Sequence, residues 1–522
     1  MVAHITRTIA LEKGDAPALV DDAGTTTWTE LDARVNRLVH GLRARGLGRG
    51  DVVALLSGNQ REYFEVMAAV MHAGLVVVPV NWHWVAEELA YVIDDSDAAA
   101  LIVAERFAET AVKACADPRT SRCRTRLVIG GPAVEGFEAY EAVLEESAPG
   151  EPAEQASGGP MFYTSGTTGF PKGVRSGVTQ VGLDPASLER FAQLSATMLQ
   201  LPENGVTLLD GPAYHSAQWA FSVVSLLGRA STVVMRQHFD PAETLRAIDG
   251  YGVTNVHLVP TQFIRLLKLP EEVRAAFDGS SLVSVMHGAA PCPIEVKRQM
   301  LAWWGPVISE YYGGTEGGFL TIISGPEWLE RPGSIGRALP SFELLVVGED
   351  GRRCEPGEEG QIYWKNLLGS DFVYHKAPEK TEAAHLEPGI GTLGDVGYLD
   401  TDGYLFLSDR KIDMIVSGGV NIYPAEIEGV LVGHPAVADA AVFGIPDEEM
   451  GEQVKAAVEL VAGVSPSGEL AAELIAHTRE HLAGYKAPRS IDFEERLPRH
   501  PTGKLYKRLL RDPYWEGTGR RI

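Results

Sequence analysis

A polar run that follows two apolar residues reads Tyr163-Thr164-Ser165-Gly166-Thr167-Thr168-Gly169-Phe170-Pro171-Lys172-Gly173. Met161 and Phe162 lead into it as a short predicted strand. Glycines let backbone N–H groups approach an anion, hydroxyls add donors and Lys172 adds a positive charge, so the run predicts a polyphosphate-binding loop. It is not a Walker A loop, because G-x-x-x-x-G-K-[ST] is absent and Gly173 follows Lys172. A flexible surface loop is the alternative, but such loops rarely end in Pro-Lys-Gly after a strand.

Length and charge limit the class of protein. The chain has 522 residues, too many for one ordinary hydrophobic core, so we expect two or more domains. Hydrophobic residues make up 45% of the chain and charged residues 22%, as in soluble globular proteins. The net charge of −24 argues against nucleic acid and anionic lipid as partners. An anionic ligand then needs a local site rich in cations or N–H groups.

Cysteine usage and apolar runs indicate the compartment. The four cysteines show no C-x-x-C spacing, which suits a reducing cytoplasm. Residues 1–7 lack the apolar core of a signal peptide. The longest apolar run, residues 66–80, contains His72 and Gly74 and is too short to span a bilayer. We therefore expect a cytoplasmic protein without an integral membrane segment, and the sequence predicts no particular oligomeric state.

Short apolar strands alternate with helices through the first part of the chain. Thr29 is a candidate cap for the first long helix. The alternation predicts an α/β fold with mostly parallel sheets, in which ligands bind beyond the carboxyl ends of strands. Residues 147–160 predict a surface connection between two sheets. The predicted strands are 52–56, 75–80, 101–103, 127–129, 206–209, 232–235, 256–259 and 282–286.

The pattern changes near residue 334. Strand-like runs between residues 334 and 407 are separated by Gly, Asp and Pro turns and predict a small antiparallel β unit. After Arg410 the chain begins again with helices and strands, enough for a compact α+β domain of about 110 residues. We expect a large N-terminal domain of packed α/β sheets plus the small β unit over residues 1–410. A small C-terminal domain is expected over residues 411–522.

Several motifs together resemble one family. The phosphate loop is similar to that of the adenylate-forming superfamily, which contains acyl-CoA synthetases, peptide-synthetase adenylation domains and luciferases. Tyr311-Tyr312-Gly313-Gly314-Thr315-Glu316 closely resembles its aromatic-Gly-x-Thr-Glu motif. Gly394-Asp395-Val396-Gly397-Tyr398 and the later Leu407-Ser408-Asp409-Arg410 resemble its ribose-binding pair. Arg499-His500-Pro501-Thr502-Gly503-Lys504 resembles its closing motif, so the resemblance covers nearly the whole chain.

The resemblance implies an ATP site. Tyr312 would stack on adenine and Thr315 would lie near the α-phosphate. Glu316 would hold Mg²⁺, a hard cation that prefers carboxylate oxygens, together with Thr164. Small residues after a strand, at 286–291, would form a flat wall for the adenine ring, although a plain strand-to-helix turn is the alternative.

The ribose would be held by the later motifs. Asp395 would accept hydrogen bonds from both ribose hydroxyls, and Arg410 would contact the ribose or a phosphate. The resemblance implies the following nucleotide- and coenzyme-binding residues: Thr164, Ser165, Gly166, Thr167, Thr168, Gly169, Lys172, Gly288, Ala289, Ala290, Tyr311, Tyr312, Gly313, Asp395, Arg410, Ser417, Gly418 and Gly419.

A carboxylate pocket is implied near His215. The run Gly211-Pro212-Ala213-Tyr214-His215-Ser216-Ala217 resembles the family segment that places a histidine at the mouth of the acyl pocket. On composition alone, a lone histidine beside aromatic residues is more often structural. Gly313 and Gly318 would leave room for a bulky or cyclic acid, and linear fatty acids are the alternative. The implied pocket residues are His215, Trp219, Gln262, His287, Gly288, Gly313 and Gly318.

The closing motif implies the catalytic lysine. In the first step a carboxylate oxygen attacks the α-phosphorus of ATP, and no general base is needed because the nucleophile is already ionised. Lys504, aided by Mg²⁺, would offset the charge that develops there. The implied catalytic residues are Lys504, Thr315, Glu316 and His215.

The second step requires an acceptor. Ser417-Gly418-Gly419-Val420-Asn421-Ile422-Tyr423-Pro424 resembles the loop that lines the pantetheine channel of acyl-CoA synthetases. In the family the small, mobile domain rotates between the two steps. Relatives usually carry Asp or Lys two positions after the motif arginine, where this chain has the stiffer, β-branched Ile412.

The leading hypothesis is an AMP-forming acid–thiol ligase that makes acyl-CoA from a small carboxylic acid, ATP and coenzyme A. It resembles fatty-acid or cyclic-acid CoA ligases of the actinobacterial type. An amide ligase of the coronafacate-ligase kind, with an amine or amino acid as acceptor, is the alternative that Ile412 leaves open. Lys172, Glu316 and Lys504 argue against a non-enzymatic nucleotide-binding module, and nothing indicates a luciferase-like oxidation.

Overall fold

The computed structural model describes residues 5–164, 171–177, 181–267, 269–289, 292, 294–348, 350–410, 415–422, 424–498 and 507–516. Among these residues, no helix combines the length and apolarity that crossing a bilayer would require. The elements up to residue 160 are α1 (Ile5–Lys13), β1 (Pro17–Asp21), β2 (Gly24–Thr27), α2 (Trp28–Ala44), β3 (Val52–Leu56), α3 (Arg61–Ala73), β4 (Val76–Pro79), α4 (Ala86–Asp95), β5 (Ala98–Ala104), α5 (Ala108–Cys115), β6 (Thr125–Ile129), β7 (Glu138–Ala139), α6 (Tyr140–Glu146) and β8 (Gly159–Pro160).

The middle of the chain continues the alternation of strands and helices. Its elements are β9 (Phe162–Thr164), β10 (Lys172–Arg175), α7 (Pro185–Met198), β11 (Val206–Leu209), α8 (Ser216–Arg229), β12 (Thr232–Met235), α9 (Pro241–Tyr251), β13 (Asn255–Leu258), α10 (Pro260–Leu267), α11 (Glu271–Ala276), β14 (Ser284–His287), α12 (Ile294–Trp304), β15 (Ile308–Gly314), β16 (Gly318–Ser324) and α13 (Gly325–Glu330).

Strands dominate from residue 334 to residue 410, and a mixed segment follows. The elements are β17 (Ser334–Ala338), β18 (Phe342–Val347), β19 (Gly360–Asn366), β20 (Val373–Tyr374), α14 (Pro378–Ala383), β21 (His385–Glu387), β22 (Ile390–Gly391), β23 (Asp395–Leu399), β24 (Tyr404–Arg410), β25 (Ile415–Ser417), β26 (Val420–Ile422), α15 (Pro424–Val432), β27 (Val437–Asp447), β28 (Gly451–Leu460), α16 (Gly468–His481), β29 (Ser490–Glu494) and α17 (Lys507–Trp515).

A parallel sheet and a larger mixed sheet enclose the main core. The parallel sheet has the order β7-β6-β5-β3-β4-β8. In β3, Val53 and Leu55 join the core shared with α2, α3 and α8, while Val52, Ala54 and Leu56 face a second core. Burial on both faces explains why β3 is a continuous apolar run. The predicted α/β fold with mostly parallel sheets is confirmed.

The larger sheet joins parallel and antiparallel strands. Its order is β2-β1-β12-β11-β13-β14-β15-β16-β17-β24-β23-β19-β22-β21, and β18 pairs with β19. The run from β12 through β15 is parallel, and the strands from β16 onward are antiparallel. The β unit predicted after residue 334 is therefore antiparallel, but it continues the large sheet through the pairing of β16 with β17.

Two local expectations differ from the structure. The cap of α2 is Thr27, not Thr29: the Thr27 hydroxyl accepts from the Glu30 N–H, and Glu30 accepts from the Thr27 N–H in return. The predicted surface connection at residues 147–160 ends as the buried strand β8, which pairs with β4. Gly158 fits there because a Cβ would approach the carbonyl oxygen of Leu75 within 2.1 Å.

The C-terminal segment has its own core and packs on the large domain. Its sheet has the order β26-β25-β28-β27, with β29 parallel to β28, and α15 and α16 cover the core. Lys486 Nζ lies 2.9 Å from Glu88 Oε1 of α4, and both side chains are at most 2% exposed. Asn81 Nδ2 donates to Tyr485 Oη at 2.9 Å beside this pair. The domain boundary at residue 410 remains a prediction.

A second buried ion pair lies inside the large domain. Lys297 Nζ is 2.5 Å from Glu310 Oε2, with side-chain exposures of 0% and 5%. Burial raises the pKa of the Glu310 carboxyl and lowers that of the Lys297 ammonium, while each charge opposes the shift of the other. The ammonium also lies 4.7 Å from the centre of the Trp328 ring. Removing one member leaves the other buried without its partner.

We expect Glu310→Gln to destabilise the large domain by about 3–5 kcal/mol, because it strands the Lys297 charge. The double variant Glu310→Leu/Lys297→Met should recover most of this loss, since it removes both charges. Urea unfolding followed by tryptophan fluorescence measures the effect, with Trp328 as a local reporter. Lys113→Gln, which removes an exposed charge on α5, is the control. A Glu310→Gln midpoint equal to that of the control would contradict the assignment.

Candidate active site

The carboxyl ends of several strands open on a cavity of about 1320 Å³, where parallel sheets bind ligands. Its walls come from the end of β9, the start of β10, the segments after β11, β13 and β14, the β15–β16 turn and the start of β23. The turn between β25 and β26 of the C-terminal segment completes them. Of the residues predicted for the site, the walls contain Thr164, Lys172, His215, Trp219, Gln262, Ala289, Tyr311, Gly313, Thr315, Glu316, Gly318, Asp395, Gly418 and Gly419.

Glu316 lies half-buried in this wall with a partner that the sequence analysis missed. Tyr374 donates its phenol proton to Glu316 Oε1 at 2.9 Å. Loss of hydration raises the pKa of the Glu316 carboxyl, and the Tyr374 hydrogen bond and the Lys172 charge partly oppose this. The Lys172 ammonium lies 4.7 Å from the centre of the Tyr374 ring. Tyr374 therefore connects the two predicted phosphate-site charges, although no motif marks the two-residue strand β20.

The predicted ribose residues meet across two antiparallel strands. Tyr312 donates to Asp395 Oδ2 at 2.8 Å, and Asp395 is buried. Asp395 lies opposite Arg410 in the pairing of β23 with β24, although the Arg410 side chain is outside the described part of the structure. The hydroxyl oxygens of Ser216 and Thr315 lie 3.1 Å apart, so a hydrogen bond connects Thr315 to the first residue of α8. Residues far apart in sequence thus converge on one side of the cavity.

Tyr311 lies on the other side. Successive side chains of a strand point to opposite faces, so Tyr311 and Tyr312 of β15 diverge. Tyr311 Oη is 2.9 Å from His257 Nε2, and its ring packs against Phe319 at 4.7 Å. The structure therefore separates Tyr311 from the predicted nucleotide residues and groups it with aromatic residues of the predicted acyl pocket. His257, which no motif marks, is a further residue that the sequence analysis missed.

His215 precedes α8 at the cavity wall. Burial lowers the pKa of its imidazole to about 4, and His83 adds to this shift, so the ring is neutral near pH 7. The centres of the His215 and Tyr214 rings lie 4.4 Å apart. Trp219, one turn into α8, packs edge-on against Phe162 at 5.8 Å. Its Nε1–H has no hydrogen-bond acceptor among the described residues.

Glycines keep the middle of the cavity open. A Cβ on Gly313 would lie 1.9 Å from the carbonyl oxygen of Gly318, so the β15–β16 turn can close only with glycine there. Gly318 has a φ of +71°, and a Cβ at that position would meet open space. Ala289 also has a left-handed φ, of +65°, at the wall. Of the small residues predicted for the adenine wall, Ala289 lines the cavity, and its role there remains a prediction.

His287 and Gly288 lie behind the wall and not in it. His287 is fully buried and shares the face of Val285, where its ring contacts Phe263 at 5.1 Å. Its Nε2 is 3.8 Å from Glu310 Oε2. A Cβ on Gly288 would meet the Tyr311 ring at 2.7 Å. The alternation of β14 thus removes His287 from the predicted substrate pocket, and Gly288 supports Tyr311 from behind.

The C-terminal segment reaches the cavity through a glycine turn. Gly418 and Gly419 have φ values of +60° and +78°, a conformation that favours glycine. A Cβ on Gly419 would lie 3.3 Å from Val259 of the large domain. Arg265 holds this contact through an ion pair with Glu449 at 2.9 Å. Ser417 pairs with Val420 at the base of the turn.

Some predicted residues lie outside the described part of the structure. These are Ser165, Gly166, Thr167, Thr168, Gly169, Ala290, Ile412 and Lys504.

The chain matches a known enzyme family over most of its length. The profile of the AMP-binding enzyme family matches residues 6–367, and that of the AMP-binding enzyme C-terminal domain matches residues 426–504. A feruloyl-CoA synthase from Amycolatopsis sp is 36% identical over 490 residues, which cover 93% of each chain.

Solved structures share the whole architecture. The amide bond synthetase McbA from Marinactinospora thermotolerans has a TM-score of 0.86 and 28% identity, covering 98% of this chain and 100% of its own. A double mutant of o-succinylbenzoate CoA synthetase (MenE) from Bacillus subtilis, bound with a product analogue, has a TM-score of 0.80 and 28% identity, with 98% of each chain covered. MenE in complex with its acyl-adenylate intermediate has a TM-score of 0.64 at 28% identity, again covering 98% of each chain.

The two profile matches and the cavity between the large and C-terminal domains lead to one assignment. The chain belongs to the AMP-binding enzyme family and is an AMP-forming acid–thiol ligase, which activates a carboxylic acid with ATP and transfers the acyl group to coenzyme A.

Proposed function

We propose that the enzyme activates a bulky or cyclic carboxylic acid and that its two steps share the cavity described above. The supporting observation is that Thr315, Glu316 and Asp395 of the large domain line the same cavity as Gly418 and Gly419 of the C-terminal domain. Nucleotide-site residues and the predicted pantetheine loop can therefore act on one bound acyl group.

The first step joins the acid to AMP. A carboxylate oxygen attacks the α-phosphorus, the bond to the bridging oxygen of pyrophosphate breaks, and pyrophosphate leaves with that electron pair. Lys172 neutralises the phosphates, Asp395 holds the ribose and Lys504 stabilises the charge that develops on the α-phosphate. Neutral His215 orients the acid without introducing a second positive charge.

The residues near Glu316 fit a divalent cation. The half-buried Glu316 carboxylate has lost hydration, which raises its pKa. The positive charge of Lys172 partly opposes this rise. A carboxylate in this position, with the Thr164 hydroxyl from the phosphate loop, supplies the oxygen ligands that Mg²⁺ prefers. When bound, Mg²⁺ would supply positive charge to the phosphate oxygens. Tyr374 orients the Glu316 carboxylate through its hydrogen bond.

The second step exchanges AMP for a thiol. The thiol sulfur attacks the carbonyl carbon of the acyl-adenylate, a thioester forms and AMP leaves. The higher TM-score to MenE with a product analogue, 0.80 against 0.64 with the acyl-adenylate, supports this arrangement of the domains for the second step. Both MenE chains are covered to 98% at the same identity of 28%.

Transfer to an amine is the second candidate. The amide bond synthetase McbA has the higher TM-score, 0.86, at the same identity of 28%. An amine nucleophile would use the same acyl-adenylate and the same first step. Pyrophosphate release screened over carboxylic acids, repeated with coenzyme A and with amines, distinguishes the two acceptors.

We expect Lys504→Ala to lower acid-dependent pyrophosphate release by about 10²–10³-fold, the effect of losing one electrostatic donor. The same variant should still convert synthetic acyl-adenylate and coenzyme A to thioester. Gly419→Val should instead slow thioester formation and leave pyrophosphate release intact, because a side chain there strains a left-handed backbone and approaches Val259. Separate assays of pyrophosphate and thioester measure the two steps.

Lys113→Ala, an exposed lysine change on α5, is the matched control and should leave both rates unchanged. Equal losses of both steps in Lys504→Ala would contradict the assignment of lysine and loop to different steps. Abundant amide without thioester would replace coenzyme A by an amine as the acceptor.

Tyr374→Phe tests the Glu316 site through pH. The hydrogen bond from Tyr374 lowers the pKa of Glu316, so its loss should raise that pKa further. The acid limb of the pH–rate profile should then move to higher pH, and the Mg²⁺ concentration for half-maximal rate should rise by about tenfold. Tyr251→Phe, at an exposed tyrosine, is the control. An unchanged profile and Mg²⁺ dependence would remove Glu316 from the metal site.

A further inference from the structure

We propose that the last turn of α16, far in sequence from the nucleotide motifs, binds a divalent transition metal ion such as Zn²⁺ through His477, Glu480 and His481. One ligand atom from each of these side chains lies within 4.8 Å of the others. Imidazole nitrogens and a carboxylate oxygen are ligands that Zn²⁺ prefers. Two histidines four residues apart share one face of a helix, the spacing that helical zinc sites use.

His481 is held in the way that metal-bound histidines are. His481 Nδ1 lies 2.8 Å from the carbonyl oxygen of His477. A carbonyl only accepts, so Nδ1 carries the proton and Nε2 offers its lone pair. A ring nitrogen bonded to the backbone leaves the other free to bind a metal and fixes the ring orientation.

The surroundings favour a cation. The C-terminal end of a helix carries a partial negative charge that favours cations. The His434 ring lies 5.1 Å from that of His477, and its Nε2 contacts Glu473 at 3.3 Å. This pair adds a second carboxylate beside the proposed ion.

The proposed ion differs from the Mg²⁺ of the reaction. Mg²⁺ prefers oxygen ligands, whereas two of the three ligands here are imidazoles. The site belongs to the C-terminal domain, and Glu316 belongs to the large domain. Zinc binding should therefore occur without ATP or acid.

Zn²⁺ titrated into tag-free full-length protein, in competition with a chromophoric chelator, tests this site. We expect one equivalent to bind in the presence of excess Mg²⁺. His477→Gln/His481→Gln should weaken this binding at least tenfold. His40→Gln, a histidine change on the large domain, should keep it. X-ray absorption of the zinc complex should show imidazole ligands. Stoichiometry equal in wild type and double variant would overturn the proposal.

A separate observation concerns the acid. The amide nitrogen of Gln218 lies 3.4 Å from the carbonyl oxygen of His257 and 3.0 Å from its Nδ1. A carbonyl accepts only, so the amide group donates here and His257 Nδ1 accepts. His257 then carries its proton on Nε2 and donates it to Tyr311 Oη at 2.9 Å. The phenol proton of Tyr311 is thereby left to donate to something else.

Trp219 supplies a second such donor. Its Nε1–H is buried and has no acceptor among the described residues, and both Trp219 and Tyr311 line the cavity. The adjoining wall is apolar and includes Phe162 and Phe319. A buried donor without an acceptor costs free energy that a ligand oxygen can recover.

We infer that the acid bears an acceptor oxygen, such as a ring ketone, distant from its carboxylate. This inference rests on the proposed function and specifies its substrate class. A site built to hydrogen-bond a substrate oxygen discriminates strongly against the analogue that lacks it, whereas a purely apolar pocket does not.

Matched pairs of cyclic acids, a ring ketone and its methylene analogue, test the inference by pyrophosphate release. We expect kcat/KM to favour the ketone at least tenfold. Tyr311→Phe and Trp219→Phe should each reduce this ratio, because each variant lacks one of the two proposed hydrogen-bond donors. Tyr363→Phe is the control, and thermal melting checks that each variant folds.

Equal rates for ketone and methylene acids in the wild type would overturn the inference while leaving acid activation intact. A preference for the ketone that survives both variants would also overturn it. No pyrophosphate release from any acid would instead contradict the proposed function itself.

Discussion

The arrangement of the active cavity depends on the buried contact between Lys486 and Glu88. Both charges are at most 2% exposed, and together with the Asn81–Tyr485 hydrogen bond they fasten the C-terminal segment to α4. A buried ion pair gains little net stability, because desolvation offsets much of its attraction, but it penalises strongly any arrangement that separates the charges without water or new partners. Such a contact favours one orientation of the C-terminal segment on the large domain but still allows that orientation to change. The rotation that the family resemblance predicts for the C-terminal domain would need this combination.

The overall charge of the chain opposes its own substrates. ATP, a carboxylate and coenzyme A are anions, while the formal net charge is −24. Binding must therefore come from short-range groups such as those that line the cavity. Lys172 lies over the Tyr374 ring, and Tyr374 donates a hydrogen bond to Glu316, the residue proposed to hold the cation. His215 stays neutral because burial lowers its pKa to about 4, so the acid end of the cavity adds no charge.

The sequence predicts the secondary-structure elements and the motifs more accurately than it predicts the contacts between them. The strands predicted at 206–209 and 232–235 have those bounds in the structure, since buried parallel strands are short apolar runs between turns. The sequence motif predicts that both Tyr311 and Tyr312 bind the nucleotide. Neighbouring side chains of a strand point to opposite faces, however, so the two rings diverge. The sequence also predicts His287 in the substrate pocket, but the alternation of side chains along β14 places it behind the cavity wall. Tyr374 and Lys486 act through partners distant in sequence, and no local pattern marks a residue whose role is set by tertiary packing.

The division of the cavity between domains separates two kinds of specificity. The residues proposed to face the acid, including Trp219, Tyr311 and Gly318, all belong to the large domain, so a rotation of the C-terminal domain would leave them in place. In the proposed second step the acceptor would instead meet the turn at Gly418 and Gly419, which lines the cavity without side chains. Changes at this turn can alter the acceptor without disturbing recognition of the acid. This separation explains how one architecture accommodates a feruloyl-CoA synthase and an amide bond synthetase among the relatives of this chain.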